Sequence, residues 1–420
     1  MFKGPVINKS SGGLGAKSAT EQNVFGLVCG GVLPGSGTYT VLGTSVKLIQ
    51  KEDADTLGFT AAYDAANKVL IRYHIDEFFT INPNGTLWLM VVAQTVTLTQ
   101  MCTYANAYVT KLINDSGKKV KFVGVVRNPA TGYTPTLTDG LDNDVNTAVP
   151  LAQLLVEAFI PLNCYIDHIL VEGREVNGVI SSIKDLRTLD SENVHVCILQ
   201  DKDVAALDAL YAKHAAVGTV MGMVGVRQIE EDYGSINTVN NPNKAVENFK
   251  LNDGSGRWNN PAISSGTLVS SLTPAEITVL QDRGFIFADS YPEYDGVYLN
   301  SSAACTAIDS DFAFGVRMRV WNAGARLVVK RFIPKYNSKF ATDDDGKISP
   351  TVIAEWQEDV KNPRNGLGVL VRDDHAQEVD CFIDPNQIPD ANQAEILIGM
   401  SIKVFNYVRK ITGTLKLTVK

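Results

Sequence analysis

Hydrophobic positions in this chain switch repeatedly between two rhythms. Short apolar runs at 24–28, 87–92, 120–126, 166–171 and 194–199 have the length and β-branched content of buried strands. Between them, Leu70, Ile71, Ile75, Phe78 and Phe79 recur at helical spacing and predict a helix over 70–81. Similar spacing predicts helices at 97–114, 147–159 and 204–215, and a mixed alternation at 38–49 predicts one more strand. Strands and helices taking turns in this way predict a layered α/β domain over 23–270, built on a largely parallel sheet.

The pattern then changes. Residues 234–266 are dense in Gly, Asn and Pro and predict loops and short hairpins. Thr273, Pro274 and Glu276 have the order of a helix start, with Thr273 as N-cap, and Gly284 ends that helix before a strand at 285–288. Helices follow at 311–332 and 350–360, then strands at 378–383 and 396–404, which together predict a second, α+β domain over 271–409. In the last stretch, 410–420, Ile411, Leu415, Leu417 and Val419 fall on one side of a strict period-two alternation, with Lys and Thr on the other. Such a strand needs a neighbouring edge, in its own molecule or in another copy, and the pattern alone does not choose. Residues 1–22 are polar, rich in Gly, Ser and Lys, and predict an extended arm.

Charge and motifs narrow the chemistry. A net charge of −8 argues against nucleic acid as a main partner, because phosphate binding needs a cationic surface. The first residues lack the apolar core of a signal peptide, and the apolar run at 87–93 is far shorter than a membrane span. Six scattered cysteines make neither a zinc pattern nor a disulfide framework, which fits folding in a reducing cytoplasm. Gly12 to Ser18 imitates a phosphate loop, but Ala16 stands where glycine is required and no strand precedes it. Asp343, Asp344, Asp345 and Gly346 imitate a calcium loop; aligning Gly346 puts Ala341 and Val352 at essential ligand positions. His74 with Glu77, and Asp373, Asp374 and His375, are the remaining places for an unrecognised enzymatic site, the second reading as a solvated charge cluster. The residues indicate no catalytic group, cofactor or metal. Arg317, Arg326, Lys330 and Arg331 are read as one basic side of the 311–332 helix, a contact surface for an acidic partner.

Three stretches give the chain a family likeness. The first is Gly12, Gly13, Leu14 and Gly15 followed by 24–28. The second is 215–222 leading to Ile229, Glu230 and Glu231. The third runs from 280–287 through 296–300 and Asp311, Phe312, Arg317 and Arg319 to 334–338. In pattern and order these resemble the tail sheath proteins of contractile bacteriophages, especially a compact group of them, although Ala16 departs from the basic residue common there. The resemblance implies a non-enzymatic subunit that polymerises around an inner tube and shortens when a baseplate triggers it. It implies arms exchanged with neighbouring copies through Gly13, Leu14 and Gly15 at one end and Ile411, Leu415, Leu417 and Val419 at the other. It also implies tube contact through Arg317, Arg326, Lys330 and Arg331. The partners implied are further copies, the tube, baseplate and tail terminator proteins, with assembly in the host cytoplasm and a final place in the virion. A sheath from a non-phage injection system fits the same pattern, and an α/β enzyme is the alternative from another class.

Overall fold

The structure, a computed structural model, describes residues 23–176, 179–236, 249–292, 294–390 and 395–409. Its centre is a sheet of seven strands in the order Phe285–Ile286, Val194–Cys197, His168–Glu172, Phe122–Val126, Val24–Gly31, Thr86–Ala93 and Ser45–Leu48. All neighbours run parallel except Ser45–Leu48, which is antiparallel to Thr86–Ala93. The expected α/β layering is therefore present. The sheet draws its edge strand from Phe285–Ile286, beyond residue 270, where the second domain was expected to begin.

The middle strand explains the layering. All eight residues of Val24–Gly31 are buried, so both faces must be covered. One face takes the helix Ile71–Ile81, with Phe25 and Phe78 in edge contact at 5.2 Å, and beside it the helix Val217–Gly225. The other takes Val109–Asp115, whose Leu112 lies where a side chain on Gly26 would have to go, and Asn143–Phe159. Asn143–Leu162 is long and apolar enough to cross a membrane by composition alone, but eight residues of Asn143–Phe159 are buried within the protein, as expected of a core helix. At Gly218 an added Cβ would stand 2.2 Å from the His74 carbonyl oxygen, so the two helices of the first face meet backbone to backbone.

Several elements differ from the sequence expectation. The helix over 97–114 is broken into Leu98–Cys102, a 3₁₀ turn at Tyr104–Asn106 and Val109–Asp115, with Ala107 at φ +58° between them. The 204–215 helix shrinks to Lys202–Ala205, because Asp208 accepts a hydrogen bond from the Leu210 N–H and turns the chain. Only Ser45–Leu48 of the 38–49 strand survives, after a turn at Gly43 with φ +79°.

Beyond the sheet, the helix Gly315–Phe332 crosses the amino ends of the strands. His168 donates through Nε2 to the Gly315 carbonyl at 3.0 Å, and His195 donates through Nδ1 to the Ala303 carbonyl at 2.7 Å. The imidazoles are 4.0 Å apart and wholly buried. Burial holds His168 down at about 3, and burial with the neighbouring ring lowers His195 well below the ordinary value, so both are neutral packing groups. The far half of the helix builds a smaller core with Ile229, Val360, Leu367, Leu370 and Cys381.

Candidate assembly site

In open α/β sheets, ligands usually bind beyond the carboxyl ends of the strands, where the strand order reverses. Here that point lies between Val24–Gly31 and Phe122–Val126, and the protein's own groups fill it. Asn128 donates to the Gly30 carbonyl at 3.0 Å and accepts from the Leu70 N–H at 3.3 Å. Alongside, buried Glu172 accepts from the Arg127 N–H, from Arg174 and from the Ala215 N–H. Both groups bridge neighbouring segments at the point where a ligand would otherwise sit.

Asp64, near the same end, is buried and accepts from the Ile71 and Tyr73 N–H groups, while burial pushes its carboxyl up to about 7. A folded-state value above the unfolded one means that the group's stabilising contribution is complete below about pH 4 and fades as pH rises through 7. Asp64→Asn is therefore expected to flatten the pH dependence of urea unfolding between pH 5 and pH 7, where Asp64 contributes up to about 1.4 kcal/mol per pH unit. Parallel wild-type and variant curves would contradict this.

The two places reserved for an unrecognised enzyme fare no better. His74 is fully buried, accepts from the Gly218 N–H at 3.2 Å, and is held far below its ordinary pKa by burial. Asp373 is tied to Arg372, and His375 bonds Glu230 at 2.5 Å, fastening the second core to the sheet domain. Asp343 spends Oδ1 on the Asp345 and Lys347 N–H groups. Among the described residues, no group of three His, Cys, Asp or Glu side chains could hold a metal ion.

What the surface offers instead is edges and grooves. Glu378–Ile383 and Ile398–Lys403 form an antiparallel two-stranded ribbon. Val379, Cys381 and Ile383 turn inward; Glu378, Asp380 and Phe382 turn outward, with Phe382 61% exposed. A ribbon of two strands has two outer edges, and both are unpaired among the described residues. Between the ribbon and the long helix runs a largely apolar groove of about 590 Å³, lined by Trp321, Val328, Leu367, Ile398, Met400 and Ile402. Gly324 lets the layers close, since a Cβ there would lie 2.6 Å from Ile402 Cδ1.

The four basic residues expected on one side of the long helix are divided by it. Arg317 and Arg326 are nine positions apart, about two and a half turns, and so point oppositely. Arg317 lines the apolar groove, whereas Arg326 and Lys330 line a second cleft at the amino ends of the strands. Arg326 also bonds Asp167 at 3.1 Å, and Arg331 pairs with Asp359. The cleft adds Lys47, Lys118, Lys119 and Lys121, which the sequence reading did not single out. The adjacent lysines at 118–119 and 121 were the signal available. Gly13, Leu14 and Gly15 of the arm, and Ile411, Leu415, Leu417 and Val419 of the tail, lie outside the described residues.

Residues 2–303 match the family described as DUF2586, N-terminal domain. No curated protein matches the sequence. A chain from the 6-fold symmetrised cryo-EM structure of the anti-feeding prophage baseplate aligns over 100% of this chain and 99% of its own, at 13% identity and a TM-score of 0.59. A chain from the contracted PVC sheath complex of an extracellular contractile injection system aligns over 100% and 98%, at 10% identity and a TM-score of 0.56. At such identities the likeness is one of fold, and it spans the whole chain.

Proposed function

The chain belongs to the DUF2586 family, and from that membership and its fold we propose that it is the repeating subunit of a contractile sheath, a structural protein of a phage tail or a related injection particle. The single observation that carries this reading is the whole-length fold likeness to a chain of a contracted injection-system sheath complex. The use of Asn128 and Glu172 as internal hydrogen-bonding bridges at the carboxyl ends of the strands supports a structural role over an enzymatic one.

Copies are joined by exchanged strands in this reading. The ribbon of Glu378–Ile383 and Ile398–Lys403 receives on its free edges the tail residues Ile411, Leu415, Leu417 and Val419 of one neighbour and the arm around Gly13, Leu14 and Gly15 of another. Contraction needs no nucleotide, because an extended form that is metastable shortens downhill once released. The sheath encloses an inner tube and ends on baseplate and terminator proteins. Since Arg317, Arg326, Lys330 and Arg331 do not share a face, tube contact draws on one part of that set and not on all four together.

Electron microscopy of the purified chain at rising concentration tests the reading. Rings or tubes are expected; solitary particles at every concentration would overturn it.

A further inference from the structure

The geometry points to a second contact between copies, made by charge and not by exchanged strands: the lysine-rich cleft at the amino ends of the sheet strands docks the acidic flank, residues 341–390, of another copy. This inference rests on the sheath reading in one respect, that copies of the chain meet.

The cleft measures about 560 Å³ and takes Lys47, Lys118, Lys119, Lys121, Arg326 and Lys330 from three separate segments, with no acidic side chain in its lining. Lys47, Lys118 and Lys119 are exposed and take part in no ion pair among the described residues. Charges of one sign gathered in a concave surface repel one another and focus their field outward, an arrangement that favours an anionic partner. Half-buried Trp88 and exposed Ile333 in the same lining give that partner apolar surface to cover as well.

The chain itself supplies the complement. Residues 341–390 carry twelve Asp and Glu against four Lys and Arg, a net charge equal to the −8 of the entire molecule, so the rest of the protein is neutral overall. Part of that acid is used at home: Arg331 and Lys335 take Asp359, and Lys335 reaches Glu355. Asp344, Glu358 and Asp374 remain exposed and outside any ion pair among the described residues. Complementary patches at different places on one chain match head to tail, and head-to-tail contacts generate rings or open helices. Nucleic acid is the poorer occupant, since the acidic flank on the same molecule would repel it.

Charge exchange tests the contact in the full-length protein. Lys47→Glu with Lys119→Glu is expected to raise the concentration needed for assembly at least tenfold at low salt, and Asp344→Lys with Glu358→Lys to do the same. All four changes in one chain are expected to restore assembly towards the wild-type threshold. These positions are exposed, and circular dichroism and melting curves serve as folding controls. If either pair assembles as the wild type does, or the fourfold variant is no better than the pairs, the cleft contact is wrong while the sheath reading stands. A wild-type chain that never assembles overturns both. A pair variant that assembles normally but loses binding of a labelled oligonucleotide held by the wild type assigns the cleft to nucleic acid and overturns the proposal.

Discussion

A chain cut after Arg409 is expected to fold as the full-length protein does and to remain monomeric where the full-length protein assembles. The fold is already fastened at that point. Tyr407 donates its hydroxyl to the Glu230 carbonyl, Arg409 pairs with Asp232 at 2.9 Å, and its guanidinium lies 3.7 Å over the Phe314 ring. What is removed, residues 410–420, is the alternating strand with Ile411, Leu415, Leu417 and Val419 on its apolar side. Four ladder hydrogen bonds amount to about 4 kcal/mol net, roughly a thousandfold in association, before any apolar burial is counted. Because each copy joins several others, the loss multiplies along the assembly. Sedimentation velocity and thermal melting check both halves together. A truncated chain that polymerises normally removes the strand-exchange account, and one that no longer melts cooperatively shows that the tail belongs to its own subunit.

The second large effect is on stability. Glu77→Ala is expected to cost about 3–5 kcal/mol of unfolding free energy, because it strips a buried carboxylate from three partners on two other elements. Glu77 accepts from Arg257 Nε at 2.7 Å, from Trp258 Nε1 at 3.1 Å and from Thr219 Oγ1 at 2.6 Å. It thereby ties the helix Ile71–Ile81 to Val217–Gly225 and to the loop bearing Trp258, the largest fully buried side chain. Glu77→Gln keeps an acceptor and is expected to lose less. Urea unfolding of the two variants separates charge from hydrogen bonding; a loss below about 1 kcal/mol for Glu77→Ala would show that the network contributes little.

These residues also show how far the sequence could be read. Strands such as Val24–Gly31 and Thr86–Ala93 were legible because their short apolar runs are rich in β-branched residues and alternate with helical spacing in the segments between them. The capping box was legible to the residue: Thr273 accepts from the Glu276 N–H, and the Glu276 carboxylate accepts from the Thr273 N–H. The strand Glu378–Ile383 has the expected bounds. Elsewhere tertiary structure decided. Val217–Gly225 is apolar all round and so has no period to read; it is a helix because it is enclosed between the sheet and Ile71–Ile81. The 204–215 stretch has helix-forming alanines, but Leu207 is exposed and no core holds that face. The division of Arg317 from Arg326 follows from helical spacing alone and could have been worked out beforehand. Of the lysine cleft only the cluster at 118–119 and 121 was visible, because segments far apart in the chain build the rest.

The most direct measurement is a reconstruction of assembled particles at a resolution that traces the backbone of residues 410–420. The account predicts that this segment lies against an edge of the Glu378–Ile383 and Ile398–Lys403 ribbon of a neighbouring copy, with Leu415, Leu417 and Val419 facing that copy's groove at Trp321 and Met400. A tail lying along the ribbon of its own subunit in every copy would contradict it.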